Sequence, residues 1–173
     1  PDEIDESGEI PDAVIEGLAR LGAFGIKIPV KYGGLGLSQT NYCRAAMLLG
    51  SWCGNMTALL SAHQSIGVPQ PLLLFGTEQQ RQKYLPRLAK GEISAFALTE
   101  PGAGSDAASL STRARRDGDH YVLDGAKAFI SGGGTSDIYV CMVRTGGAGS
   151  KGISCIVVEK GTPGLSFGAR EKK

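Results

Sequence analysis

The sequence has no apolar run long enough to cross a bilayer, which argues against a helical membrane span. It has no basic block and no basic stripe interleaved with aromatics, so nothing points to nucleic acid. Arg113, Arg115 and Arg116 form its densest cationic cluster and read as the solvated edge of a hairpin. Its four cysteines, Cys43, Cys53, Cys141 and Cys155, include no C-x-x-C pair. Most sit in apolar runs, the pattern of buried free thiols in a reducing compartment rather than of a disulfide frame or a zinc site. There is no internal repeat and no low-complexity tract. The first residues, PDEIDESGEIP, are acidic and read as neither a signal nor a transit peptide. Because a transit peptide is removed in the mature protein, bacterial cytoplasm and mitochondrial matrix both stand as compartments.

What is present is enough for a real core. The chain has 173 residues, 42% hydrophobic, with a net charge of +1. That size suits one domain or two small ones. Residues 1–10 are polar and read as irregular. Pro11 suits a first helical position, Val14, Ile15, Leu18 and Leu21 follow at helical spacing, and Gly22 suits the stop. Ile26, Ile28 and Val30 alternate, which predicts a short extended segment. Gly33, Gly34 and Gly36 make a loop, and Ser38 is placed to cap the next helix. The spacing predicts helices over 39–51 and 56–66, apolar most of the way round and therefore buried. His63 lies in the second and reads as a satisfied core residue rather than a catalyst. A short helical turn over 69–75 closes at Gly76. Thr77 and Gln80 form a capping box for a helix over 78–90, which turns Tyr84, Leu85 and Leu88 inward and stops at Gly91.

Beyond Gly91 strand signals dominate: 93–98, 110–114, 120–123, 128–131, 138–144, 152–159 and 165–167. Asp117-Gly118, Gly146-Gly147 and Pro163-Gly164 mark turns between them. A helical half followed by an antiparallel half is an α+β order, with a boundary near residue 91.

Two stretches carry chemistry. In the first, an apolar run ends in Leu98-Thr99-Glu100-Pro101-Gly102-Ala103-Gly104-Ser105-Asp106. Pro fixes φ, so the chain turns here, and side-chain-free Gly102 and Gly104 leave backbone N–H groups open. Thr99 and Ser105 bracket the turn with hydroxyls. Closely spaced N–H and O–H donors suit a phosphate or a polar ring edge. A plain surface hairpin turn is the alternative reading. Glu100 is the motif's own carboxylate and reads as satisfying nearby backbone N–H groups. Asp106 reads as a cap for the next turn. In the second stretch, Tyr121 to Gly134, the run Phe129-Ile130-Ser131 is the notable part. Taken alone, Phe129 and Ile130 read equally as core, and Ser131 as a strand-end cap.

Together, TEPGAGSD followed by YVLDGAKAFISGGG resembles the acyl-CoA dehydrogenase family of flavoproteins, in order and in spacing. The segments KYGGLGLS, SAHQSIG, FGTEQQRQKYLPRLAKGE and SDIYVCMVRT fit the same family, so the resemblance covers essentially the whole chain. The last part, from Ile130 to Gly168, is most similar to isobutyryl-CoA and short branched-chain acyl-CoA dehydrogenases.

The resemblance implies an N-terminal all-helical domain over 1–91, lacking its first helix, and an incomplete antiparallel β-barrel-like middle domain over 92–173. A C-terminal four-helix domain would be absent, and the chain, ending at Glu171-Lys172-Lys173, would be a fragment. The implied reaction is α,β-dehydrogenation of an acyl-CoA thioester. A carboxylate takes the α-proton, FAD takes a hydride, and electrons pass to an electron-transfer flavoprotein. The implied assembly is a homotetramer serving fatty acid or branched-chain amino acid catabolism.

By resemblance, Phe96, Ala97, Leu98, Thr99, Gly104, Ser105, Phe129, Ile130 and Ser131 bind the cofactor. Thr99 would meet the polar edge of the isoalloxazine, and Gly104 with Ser105 the pyrophosphate. Ser105 would also border the acyl-CoA. Phe129 would pack on the flavin and Ser131 would sit near N5. Many relatives have Trp and Thr where this chain has Phe129 and Ser131. The base would lie in the C-terminal domain, so the resemblance implies no catalytic residue here and no metal. Rival readings are a non-catalytic acyl-CoA, flavin or partner-binding module, or an acyl-CoA oxidase or flavin monooxygenase of the same fold.

Overall fold

A computed structural model describes residues 1–170. The chain divides into two compact units between Ser94 and Ala95.

The first unit is helical. Contrary to the irregular start expected, Asp2–Ser7 forms α1. Asp2, Glu3 and Asp5 complement the positive end of its dipole, and Ile4 is buried. Helix α2 runs Asp12–Arg20, with Pro11 at the cap position just before it. Leu18 is buried, but Leu21, placed at helical spacing by the sequence, lies just beyond the helix and is exposed. Leu18, Ala23, Phe24 and Leu60 form a core cluster, and Val14, Ile15, Met56 and Ile93 pack against it.

The extended segment expected over 26–30 is not formed. Tight turns at Ala23–Gly25 and Val30–Tyr32 take its place. Local bonds win here: Leu35 N–H donates to the Gly25 carbonyl, Gly36 to Ile28, and Leu37 to Ile26. Ile26 and Ile28 are buried while Val30 is exposed, so the alternation recorded burial without a strand.

Helix α3 spans Gln39–Gly50, and the Ser38 hydroxyl accepts from Asn41 N–H at its start. It was expected to be buried nearly all round. Instead only Tyr42 is buried, and Met47 and Leu48 are exposed. An all-round apolar helix needs neighbours on every side, and the helices beside it cover one. Helix α4 spans Gly54–Ser61 and widens into a π-helical turn, Ala62–Ile66, that buries His63 and Gln64. Helices α5 (Pro69–Phe75) and α6 (Glu78–Ala89) follow. The Thr77–Gln80 capping box is formed in both directions. Leu85 and Leu88 are buried, and Tyr84 is half-buried. At Gly91, φ is +114° and a Cβ would lie 2.9 Å from that of Ala19, so only glycine suits this stop.

The second unit is built on a five-stranded sheet: β1 (Ser94–Ala97), β2 (Arg113–Asp117), β3 (His120–Asp124), β4 (Ile138–Arg144) and β5 (Ile153–Glu159). β2 and β3 pair antiparallel across a two-residue turn at Gly118-Asp119, which leaves Arg113, Arg115 and Arg116 solvated as expected. β4 and β5 pair antiparallel over their full length. The sheet is open and mixed rather than purely antiparallel and barrel-like, because β2 meets β4 in parallel at Arg113 and Arg144.

Three strand expectations fail for definable reasons. Residues 110–112 are irregular because Ser111 and Thr112 give their N–H groups to Glu100, so β2 starts at Arg113. Residues 128–131 are irregular because Phe129 has φ +55°. Residues 165–167 form no strand, and Leu165 N–H instead closes a turn onto Thr162. All four cysteines are free, but Cys43 and Cys155 are exposed rather than buried. The expected unfinished end at Glu171-Lys172-Lys173 lies outside the described residues.

Candidate functional site

β1 delivers the chain into a tight turn. Glu100 and Ala103 exchange both backbone hydrogen bonds, each 3.1 Å, around Pro101 and Gly102. The next residues, Gly104, Ser105 and Asp106, are exposed. A Cβ placed on Gly102 or Gly104 would meet nothing within 4 Å, so this backbone is open to a ligand. A short turn, Ala107–Ser109, follows. The Asp106 carboxylate accepts from the Ser109 hydroxyl rather than from a backbone N–H, which corrects its expected capping role.

Glu100 does what a structural reading requires. Its side chain is buried and accepts from Ser111 N–H (2.7 Å), the Ser111 hydroxyl (2.8 Å) and Thr112 N–H (3.0 Å). Lys127 completes it: the ammonium lies 2.7 Å from Glu100 Oε1 and also donates to the Leu98 carbonyl at 3.0 Å. Burial favours the neutral acid, but the Lys127 ammonium and the Thr112 and Ser111 donors outweigh it. The carboxyl is therefore held well below the usual carboxylate range. A permanently ionised, fully engaged carboxylate is a poor proton acceptor.

The same staple aligns the second stretch. Ala128 N–H donates to the Thr99 carbonyl at 2.9 Å, which ties the residue before Phe129 to Thr99. Phe129 is the only non-glycine among the described residues with positive φ, and its side chain is 75% exposed. Bulky residues in this region are strained by roughly 1–2 kcal/mol. A strained backbone holding an exposed aromatic is what a ligand platform needs and what a core residue avoids. Ile130 is half-buried and Ser131 exposed. The turn after Ser131 is held by Tyr139, whose hydroxyl accepts from Gly134 N–H at 3.1 Å and donates to the Gly132 carbonyl at 3.4 Å.

Of the nine predicted site residues, Ala97 is buried and Phe96, Leu98, Thr99 and Ile130 are half-buried. Gly104, Ser105, Phe129 and Ser131 are exposed. The structure ties 98–99 directly to 127–128, next to Phe129 in the chain, and places Gly104 and Ser105 just past the Glu100–Ala103 turn. Sequence reasoning missed Lys127 and Tyr139. A lone lysine in an otherwise apolar Ala-Lys-Ala run was the available signal for the first. An exposed aromatic, flanking hydroxyls and open backbone suit a planar heteroaromatic ring with a phosphate tail. At Gly125, φ is +149° and a Cβ would lie 2.5 Å from Thr112 Oγ1, so the segment leading to Lys127 passes too close to Thr112, just before β2, for a side chain.

His63 stands apart from this chemistry. Its Nδ1 accepts from Ser94 N–H at 3.1 Å, so its Nε2 carries the proton and donates to the Phe24 carbonyl at 3.1 Å. Burial lowers its pKa to about 4, against a small opposing effect of the Phe24 carbonyl. It is a neutral core residue, as expected.

Two family models match. That of the acyl-CoA dehydrogenase N-terminal domain covers residues 1–92, and that of the middle domain covers residues 95–173. A mitochondrial isobutyryl-CoA dehydrogenase of Dictyostelium discoideum is 49% identical across 98% of this chain, which spans 41% of that relative. Butyryl-CoA dehydrogenase from Megasphaera elsdenii superposes with a TM-score of 0.90 at 37% identity, over 99% of this chain and 46% of that one. An acyl-CoA dehydrogenase complexed with FAD from Bacillus anthracis superposes with a TM-score of 0.83 at 36% identity, over 93% of this chain and 27% of that one.

Proposed function

The chain belongs to the acyl-CoA dehydrogenase family, and on that premise we propose that it supplies the helical and middle domains of an FAD-dependent enzyme that dehydrogenates an acyl-CoA thioester between its α and β carbons. Residues 1–91 serve as the helical domain and 92–173 as part of the middle domain. The observation that supports this reading is the Glu100–Lys127 staple, which with the Ala128 N–H to Thr99 carbonyl bond ties the TEPGAGSD turn to the segment that carries an exposed Phe129.

The residues divide the work by chemistry. Phe129 would offer its ring to the isoalloxazine face, and Ile130 would continue that wall. Phe96, Ala97, Leu98 and Thr99 would line the flavin, with the Thr99 hydroxyl toward its polar edge. Ser131 would present a hydroxyl near N5. Gly104 N–H and the Ser105 hydroxyl would hold the pyrophosphate, and Ser105 would also border the acyl-CoA. Bound FAD supplies the hydride acceptor. Glu100 takes no proton, because Lys127, Ser111 and Thr112 already occupy its oxygens. The base comes from a further, C-terminal helical domain. Electrons pass to an electron-transfer flavoprotein, and the assembly is a homotetramer. Relatives include mitochondrial and bacterial enzymes, and either the mitochondrial matrix or the bacterial cytoplasm is compatible with this chemistry.

The test is anaerobic titration of the full-length, FAD-loaded protein with isobutyryl-CoA, following the flavin's visible absorbance. Bleaching by substrate is expected, and Glu100→Gln should still bleach at a rate within about tenfold of the parent. Failure to bind FAD would overturn the proposal. Binding of FAD and acyl-CoA without bleaching would assign a binding module instead. Rapid reoxidation by oxygen would assign an oxidase or monooxygenase.

A further inference from the structure

Gly104 and Ser105 sit in an exposed stretch between two turns, and each turn is anchored differently. The first is closed by the Glu100–Ala103 backbone pair and by the Glu100 carboxylate. The second, Ala107–Ser109, has its own internal bonds, Ser109 N–H to Asp106 and Leu110 N–H to Ala107. Besides the buried Leu110 side chain, what ties it to the sheet is the side chain of Arg144 at the end of β4.

The Arg144 guanidinium uses all five of its N–H groups on main-chain carbonyls. Nε donates to Leu110 at 3.1 Å, and Nη2 to Ala108 at 2.7 Å and Leu110 at 3.0 Å. Nη1 donates to Gly147 at 2.6 Å and Gly149 at 3.0 Å. The Arg144 backbone N–H adds a bond to Thr112 at 2.7 Å. With every donor filled by a carbonyl, the guanidinium has none left for a carboxylate. The Gly147 and Gly149 side of the clamp is itself rigid. Thr145 and Gly146 N–H both reach the Gly152 carbonyl at 3.0 Å, and a Cβ on Gly152 would lie 1.9 Å from the Gly147 oxygen.

We infer that Arg144 is a positioning residue that pre-organises Gly104 and Ser105 for the phosphate-bearing ligands, by clamping 108–110 to the rigid 145–152 hairpin. This deepens the proposed function and rests on it. Without the clamp, the stretch free to move extends from Gly104 up to Ser109, short of the buried Leu110, and binding must then order it. Lysine does not replace arginine here. It keeps the charge but has three donors on a flexible stem, and it does not span two loops as the planar fork does. The expected signature is therefore a loss of ligand affinity with the chemical step intact.

The experiment uses the full-length protein with excess FAD and isobutyryl-CoA as the probe. Arg144→Lys and Arg144→Gln should each raise KM roughly tenfold, leave kcat within about twofold, and weaken FAD retention. An Arg144→Lys protein with parental KM and FAD retention overturns the inference while leaving the proposed function standing. So does a loss confined to kcat. If neither Arg144 variant folds, Gly149→Ala decides. It forces a side chain onto φ +81°, which displaces one clamped carbonyl and leaves the guanidinium in place. A raised KM there supports the clamp, and a KM within twofold overturns it. A parent protein that binds FAD and isobutyryl-CoA without turnover, or binds neither, marks a failure of the proposed function instead. The clamp is then read from ligand Kd or, for a protein that binds neither, from proteolysis after Ser105.

Discussion

Burial sets the direction in which His63 titrates. The ring is wholly buried, packs edge-on against Phe24 at 5.2 Å, and accepts a backbone N–H at Nδ1. Protonating that nitrogen removes the acceptor and places a charge in apolar surroundings. The folded pKa of about 4 lies below the ordinary 6.5, so the neutral ring favours the folded state. That stability is complete above pH 6.5 and is lost as pH falls toward 4, by about 3 kcal/mol from this one group. Urea midpoints across that pH window should fall in the parent chain, and less steeply in His63→Gln. Equal slopes in the two proteins would remove His63 from the account.

The elements of the second unit meet through the Glu100–Lys127 pair. It joins the end of β1, the approach to β2 and the segment after β3, over 27 residues of chain. Both side chains are withdrawn from water, at 3% and 13% exposure, so the pair is not screened as a surface pair is. Lys127→Met strands an ionised, buried Glu100 and should lower stability by about 3–5 kcal/mol. Adding Glu100→Gln should recover part of that loss, because the uncompensated charge is gone. Thermal melts of the two singles and the double read this directly. A Lys127→Met melt indistinguishable from the parent would show that the pair holds nothing together. A double no more stable than Lys127→Met would show that charge is not the cause.

At the scale of the molecule, the helical unit leaves large side chains in solvent. Trp52 is 75% exposed and Phe75 85%, alongside the exposed Met47 and Leu48 of α3 and Leu74 of α5. Apolar surface on this scale drives association. The 173-residue chain should self-associate with rising concentration in sedimentation velocity, and Met47→Glu with Phe75→Glu should reduce it. A monomer at every concentration would show that these side chains find cover within the chain. In the same preparation FAD should be held weakly, because the residues proposed to border its ring all come from one domain. A stoichiometric, tightly held flavin on the isolated chain would refute this.

The sequence by itself determined the features written in neighbouring residues. The Thr77–Gln80 box, the Ser38 cap and the turn before His120 are encoded within four positions, and each formed. So did the helical-then-sheet order, the β4–β5 hairpin and the turn after Glu100. Period and punctuation act through bonds between near neighbours, so a short window suffices to read them. Tertiary structure alone decided what depends on residues far apart. It took Ser111 and Thr112 out of β2 by giving their N–H groups to Glu100, and it set β2 parallel to β4. It put Phe129 into positive φ and left α3 half uncovered, against expectation in both cases. It engaged Arg144 in five hydrogen bonds to four carbonyls from two loops. Apolar residues at helical or strand spacing say that a face wants cover. Only the folded chain says which distant segment supplies it.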